Sequence, residues 1–526
     1  MITVDSSSGR WQAFCDQIQQ FLAADTIDIS IDGAVVHGYR SPDSVALWLR
    51  DHSDMIRAGR YFENDLRNVV DAFVSAQHAS GRVHDFVTTV PTLGSNEREN
   101  WEKWVRVPVE ADVEYRLVNA AYRTWQANGD TEWIAGLLAP LSLALEYSTS
   151  HPWRWDPVHE LVKRAYTIDT WDFDYTAGRH PWLNFQITDE TFWGIMHGDN
   201  SGVYEASRYL AKLYRACGDD RHAEEIEAGA ASLRKRANDL LFNGEFYTHF
   251  HKLVDVTIDG VDESRQLSLS NPMNINRGLA THDIADSIIQ AYQARAASTG
   301  AFAEWFSIDP PFPVGVFGDD TLVPGSYCNG GVMPLVGGEL ARAALTSGHE
   351  EYGVSIVEKY RKMILDSGET FLWYFPDGTP SSIEKSTSPD AMPTDGWGSS
   401  AMLWAFVEGI AGIQDLDCLF RKVHFSPRWI AAGEDRATIN VSYPASGASF
   451  GYQYHHDSEA KQLKFEVAST ADIEAHILLP GGTHAESVRH DGREIDFEQR
   501  LTGKSGYAIF NIAVEAGSEI RVSYAG

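Results

Sequence analysis

The sequence predicts a mainly α-helical protein: a closed toroid of helical hairpins, with a short segment before it and an antiparallel β-sandwich after it. Three observations carry that prediction. Between about residues 45 and 420, apolar residues recur every three or four positions, the period of a helix with one buried face. Several helical stretches break at Gly-Asp or Ser-Gly-His turns and resume, which makes hairpins. After Pro427 the pattern changes to strict alternation, the period of a half-buried strand.

Taken in order, residues 1–44 form a lead-in segment. It holds an amphipathic helix with Trp11, Phe14, Ile18, Phe21 and Leu22 on one side, then a strand-like DISIDGAVV. The helical domain is assigned to 45–424. One hairpin runs VEADVEYRLVNAAYRTWQANGD, with Val113, Leu117, Ala120 and Ala121 on one face and its turn at Gly129-Asp130. A second runs SGVYEASRYLAKLYRACGDD, with Val203, Ala206, Leu210 and Leu213 inward and its turn at Gly218-Asp219. A third starts at Gly338 with GELARAALTSGHEEYGVSIVEKY. A glycine at such a turn takes the left-handed conformation that ends a helix. The hairpins are irregularly spaced, which fits a closed ring better than a regular solenoid. Long Gly/Pro/aromatic-rich loops (86–108, 165–198, 306–334 and 368–398) separate them, and loops of that length in a compact domain are usually functional. Residues 425–526 hold six short alternating strands, ATINVSY, SFGYQYHH, QLKFEVA, IEAHILL, YAIFNIAV and EIRVSY, the pattern of a β-sandwich.

Composition narrows the function. At 526 residues, 43% hydrophobic and 22% charged, the chain is a folded protein with a large core. A net charge of −31 argues against nucleic acid or an anionic membrane as partner. The start, MITVDSSSGRWQAF, lacks a basic stretch followed by an apolar run, and Cys15, Cys217, Cys328 and Cys418 are scattered; together these predict a cytoplasmic protein with reduced thiols. No cluster with metal-ligand spacing stands out, so neither metal nor cofactor is expected. The expected partner is a small carbohydrate, bound by a monomer or homodimer.

The chemistry centres on TIDTWDFDY (167–175), which sets Asp172 and Asp174 among Trp171, Phe173 and Tyr175. Apolar rings beside a carboxyl disfavour its charged form, as a proton donor working near neutral pH requires. Two residues apart in an extended loop, the two acids face opposite ways, and either could be the donor. Cleavage of a glycosidic bond needs such an acid and a second carboxylate across the scissile bond. Three other stretches hold carboxylates or amides among aromatic residues and glycines: LWLRDHSDM (47–55), SYCNGGVMP (326–334) and the long run 371–404.

These stretches carry a family resemblance. TWDFDY resembles the W-D-F stretch that bears the general acid in trehalases, which are inverting α-glucosidases built on an (α/α)6 barrel. IEKSTSPDAMPTDGWGSSAMLW is similar to their E-K-Y segment, whose Glu is the general base. PGSYCNGGVMP resembles a segment shared by trehalases and neutral invertases. LWLRDHSDM resembles the Trp–Arg–Asp helix start that grips the sugar in glucoamylases. The β-rich tail is similar to that of α-L-rhamnosidases and of disaccharide phosphorylases. Ser386 replaces the tyrosine of E-K-Y, and the usual Gly-rich run before G-W is missing, so the resemblance is to the six-hairpin glycosidases, processing α-glucosidases included, and not to trehalase alone.

The resemblance implies an inverting, exo-acting glycoside hydrolase with Asp172 as general acid and Glu384 as general base. It implies Arg50 and Asp51 as sugar-hydroxyl ligands, with Asn329 and Trp397 lining the pocket; Trp48, Trp171 and Trp373 are expected to bind substrate beside them, as is His197 of MHGDNSGVYEAS. Asp174 is the rival to Asp172, and Asp395 and Asp390 are rivals to Glu384. His197 and Asp199 also read as the start of a helix capped by Asn200 or Ser201. A phosphorylase on the same scaffold and a non-catalytic carbohydrate-binding protein are the competing functions.

Overall fold

The computed structural model describes residues 1–41, 44–89, 104–172, 175, 186–318, 320–381 and 392–526, and the backbone of 97–100. Asp174, Glu384 and Asp390 lie outside the described residues.

Twelve α-helices are described: α1 (Trp11–Ala24), α2 (Leu49–Gly59), α3 (Arg67–Ser75), α4 (Val113–Asn128), α5 (Thr131–Ser150), α6 (His197–Ala216), α7 (Asp220–Leu241), α8 (Ser270–Asn276), α9 (His282–Ser298), α10 (Pro334–Thr346), α11 (Glu350–Ser367) and α12 (Gly396–Trp404). The even-numbered helices form an inner ring. Each packs on the next, and α12 closes the ring against α2. Their composition suits that place: α4, α10 and α12 are buried almost all round, whereas α5, α7 and α9 bury only a stripe. This is an (α/α)6 barrel.

The turns from inner to outer helices are short. Gly129 ends α4 with φ +67°, and Gly218 and Gly348 also have positive φ at the corresponding turns. The connections from outer to inner helices are long (25–48, 76–112, 151–196, 242–269, 299–333 and 368–395). All six inner helices therefore begin at one end of the barrel, and the long loops expected to be functional gather there. Two four-stranded sheets brace those loops. One joins Ala46–Trp48, Phe86–Thr88, Trp104–Arg106 and Glu97–Asn100; the other joins Trp155–Asp156, Leu161–Ala165, Trp193–Ile195 and His251–Lys252.

Residues 1–44 divide between the two larger units. Helix α1 packs on α11 and α12 and supplies the sixth outer helix. The strand Ile2–Ser6 pairs antiparallel with Arg436–Ser442, at the edge of a seven-stranded sheet of the C-terminal sandwich. Trp11 ties them together: its ring stacks on Phe406 at 5.0 Å, and its Nε1–H donates to Glu434 at 2.9 Å.

All six expected C-terminal strands form. Strands at Ile413–Asp415, Lys422–Phe425, His484–His490, Arg493–Ile495 and Glu498–Thr502 join them in two sheets. Pairing is antiparallel except between Lys422–Phe425 and Ala471–Leu478, which run parallel. No helix among the described residues is long and apolar enough to cross a membrane.

Candidate active site

Where six parallel helices begin together, their unpaired N–H groups and dipoles favour anionic side chains. This end of the barrel is rich in buried acids. Asp54 on α2, Asp112 just before α4, Asp199 in the first turn of α6 and Asp395 just before α12 are all buried, as are Asp51 and Glu110.

Arginines organise them. Arg50 forks onto Asp112, Nε to Oδ2 and Nη2 to Oδ1, both at 2.9 Å, and reaches Glu110 at 2.8 Å. Asp112 also takes Arg116, which pairs in turn with Asp54. Asp54 accepts from Trp397 Nε1–H at 2.8 Å. The chain Glu110–Arg50–Asp112–Arg116–Asp54–Trp397 thus joins α2, α4 and α12. Burial works against ionising Asp112, but Arg50 and Arg116 outweigh it and hold this carboxyl below the usual range.

Asp172 sits at the edge of this network and keeps partial exposure to solvent. The turn that carries it is held by Arg164, which donates to the Trp171 carbonyl and pairs with Asp199 at 3.3 Å. The Trp171 ring meets Tyr327 edge-on at 5.0 Å and lies 6.2 Å from Trp397. Burial pushes the Asp172 carboxyl up to about 7. The negative charge of Glu110 adds to that push, while Arg50 and Arg164 oppose it. An acid tuned in this way is protonated in a large share of molecules near neutral pH and can give that proton to a leaving oxygen.

The other expected residues divide into two groups. Arg50, Asp51, Trp171 and Trp397 stand at this end of the barrel. Arg50 is committed to Glu110 and Asp112. Asp51 takes the Ser41 hydroxyl, and burial pushes its carboxyl up to about 6. Trp48 is half-buried against Phe86 at 4.2 Å, in a small apolar cluster beneath the loops.

Trp373, Asn329 and His197, expected to line the pocket, and Asp395, the expected rival to Glu384, are each engaged by the fold around them. Trp373 is wholly buried beside Phe375, because the loop fills its own core with rings. Asn329 binds the carbonyls of Phe312 and Leu322 and the N–H of Phe312, which consumes its amide. His197 is enclosed between Ser268 and Asn274 and stacks on Tyr247. Asp395 caps α12, accepting from the N–H groups of Trp397 and Gly398.

Sequence reasoning missed Glu110 and Asp112, and reached Arg164 only as an ion-pair partner that Asp172 could have. Glu110 and Asp112 stand in the VEADV run that opens α4, and an acid pair at a helix start was the available signal.

No family model and no curated protein matches the sequence. Solved structures do. The α-L-rhamnosidase of Dictyoglumus thermophilum matches with a TM-score of 0.62 and 12% identity, over 99% of this chain and 50% of that one. The GH78 rhamnosidase of a Bacillus species gives 0.59 and 16%, over 91% of this chain and 43% of that one. The GH63 mannosylglycerate hydrolase of Thermus thermophilus gives 0.52 and 14%, over 75% of this chain and 99% of that one. The chain spans about half the length of the rhamnosidases it matches. At these identities the likeness is one of fold: a six-hairpin barrel with a C-terminal β-domain, as the sequence motifs implied.

Proposed function

We propose that the protein is a glycoside hydrolase in which Asp172 is the general acid. The observation that carries this reading is Asp172, a residue partly open to solvent whose carboxyl is raised to about 7, at the loop-bearing end of an (α/α)6 barrel. The fold shared with rhamnosidases and a mannosylglycerate hydrolase supports an O-glycosidic substrate, and the α-L-rhamnosidase name favours an α-linked one. In this reading Glu384 is the base that activates water, the configuration inverts, and a short oligosaccharide or glycoside is cleaved from its end.

Hydrolysis is favoured over phosphorolysis. Among the described residues at this end, Arg50, Arg116 and Arg164 are each engaged by carboxylates. A phosphate would have to compete with those partners for its cationic ligands. The experiment is release of free sugar from a panel of disaccharides and aryl glycosides, with and without phosphate, by wild type, D172N and E384Q. Sugar release without phosphate that collapses in both variants is the expected result. Turnover that requires phosphate makes the protein a phosphorylase, and unchanged turnover in D172N removes the assignment.

A further inference from the structure

Three residues before Asp172, the backbone does something unusual. Asp169 has φ +46°, the left-handed region, although it is not glycine and is completely buried. Such a conformation persists only where the surroundings over-determine it, and it clusters at functional sites.

The surroundings do over-determine it. One carboxyl oxygen of Asp169 accepts from the Ser270 hydroxyl and from Thr170 N–H at 2.8 Å; the other accepts from Ser270 N–H at 3.2 Å. Its own N–H donates to His249 Nε2 at 2.8 Å, and its carbonyl accepts from the Thr167 hydroxyl. Each backbone and side-chain polar atom of this residue is therefore bonded.

These partners come from separate parts of the chain. Ser270 opens α8, and His249 follows α7. Gly198, at the start of α6, lies against Ser270 and Thr170: a Cβ there would lie 2.5 Å from Ser270 Oγ and 3.0 Å from Thr170 Cγ2. On the other side, the Trp171 carbonyl takes Arg164, and Trp171 N–H closes the turn on Ile168 O at 3.2 Å. The turn is clamped at Asp169 and again at Trp171, and Asp172 is the next residue out.

We propose that Asp169 is a positioning residue that fixes the turn and so aims the Asp172 carboxyl at the leaving-group oxygen. This rests on the reading of Asp172 as general acid. Aspartate suits the position for two reasons. It tolerates the left-handed backbone better than bulkier residues, and its two oxygens can accept from Ser270 and Thr170 at once. A displacement of about 1 Å at the acid costs proton transfer on the order of a hundredfold while leaving sugar binding intact.

The test uses leaving groups. A dinitrophenyl glycoside departs without protonation, whereas a methyl glycoside needs the acid. For D172N, methyl-glycoside turnover falls at least a hundredfold and dinitrophenyl turnover less than tenfold. For D169N, the same asymmetry appears at about tenfold or more, with KM within about threefold of wild type. Ser270→Ala removes one of the clamping donors, keeps Asp169, and shows the same asymmetry more weakly; it carries the test if D169N does not fold. A loss in D169N or Ser270→Ala that is equal for both substrates, or no loss, overturns the positioning role. A D172N variant without the asymmetry overturns the reading beneath it instead.

Discussion

Glu110 exerts the strongest charge effect on Asp172, and both carboxyls face the Arg50 guanidinium, which Glu110 holds at 2.8 Å. Arg50 is also forked onto Asp112, so one cation serves three acids and Asp172 is left under-compensated. That is how burial and a like charge together keep a carboxyl protonated. Glu110→Gln removes the like charge and frees part of Arg50. The Asp172 carboxyl then ionises more readily, and the alkaline limb of the pH–rate profile moves down by about one unit. A profile that does not move, or moves up, separates Glu110 from the acid.

The raised carboxyl also makes a prediction about stability. Asp172 ionises at about 7 in the folded chain against 3.8 when unperturbed, so unfolding releases a proton between those values. Wild type therefore loses stability as pH rises from about 4 to 7. D172N carries no such loss. Its melting temperature exceeds that of wild type at pH 8 and approaches it near pH 4, as scanning calorimetry can measure.

Asp25 makes the same argument at the junction of the N-terminal segment with the barrel. It accepts from Gly396 N–H, the first residue of α12, and from the Thr394 hydroxyl at 3.4 Å. Burial pushes its carboxyl up to about 9, and Asp395 adds to the push. The native state holds this proton at neutral pH, so burial of the carboxyl costs stability progressively as pH rises from about 4 to about 9. D25N keeps an acceptor for Gly396 without the ionisation. Between pH 7 and 10 its melting temperature falls less than that of wild type.

Much of this architecture was legible in the sequence because it rests on periodicity and turn chemistry. The six C-terminal strands alternate cleanly, and Gly129 and Gly218 mark the turns of two helical hairpins. Helix α1 was legible as a helix, but its membership of the barrel was not, since its partners on α11 and α12 lie more than three hundred residues on. At the candidate site, the raised carboxyl of Asp172 was legible from the rings beside it in sequence. The site was not legible where aromatic residues and amides serve the core. Trp373 and Asn329 look like pocket residues in sequence because rings and amides suit both settings, and only burial separates the two. The meeting of Glu110 with Arg50 beside Asp172 depends on contacts between distant segments, which no local pattern encodes.

Trp11 tests how tightly the barrel and the sandwich are joined. Its ring is 1% exposed, stacks on Phe406 and hydrogen-bonds Glu434, which also takes Ser7 and Ser8. W11A removes a large buried ring and one bond across the junction, at a cost of about 3–5 kcal/mol. Chemical denaturation should show the midpoint falling, with loss of helical and sheet signals together. Two separate transitions in wild type would mean that the sandwich and the barrel unfold independently.

The most direct test of the account is the pH dependence of kcat/KM for hydrolysis of an alkyl glycoside by wild type and D172N. In wild type the rate falls as pH rises through about 7, where the Asp172 carboxyl loses its proton. In D172N that limb is absent and the rate lies two to four orders of magnitude lower, on the order of the contribution of a general acid. A D172N profile that keeps both the wild-type rate and the wild-type alkaline limb would contradict the assignment of Asp172 as the proton donor.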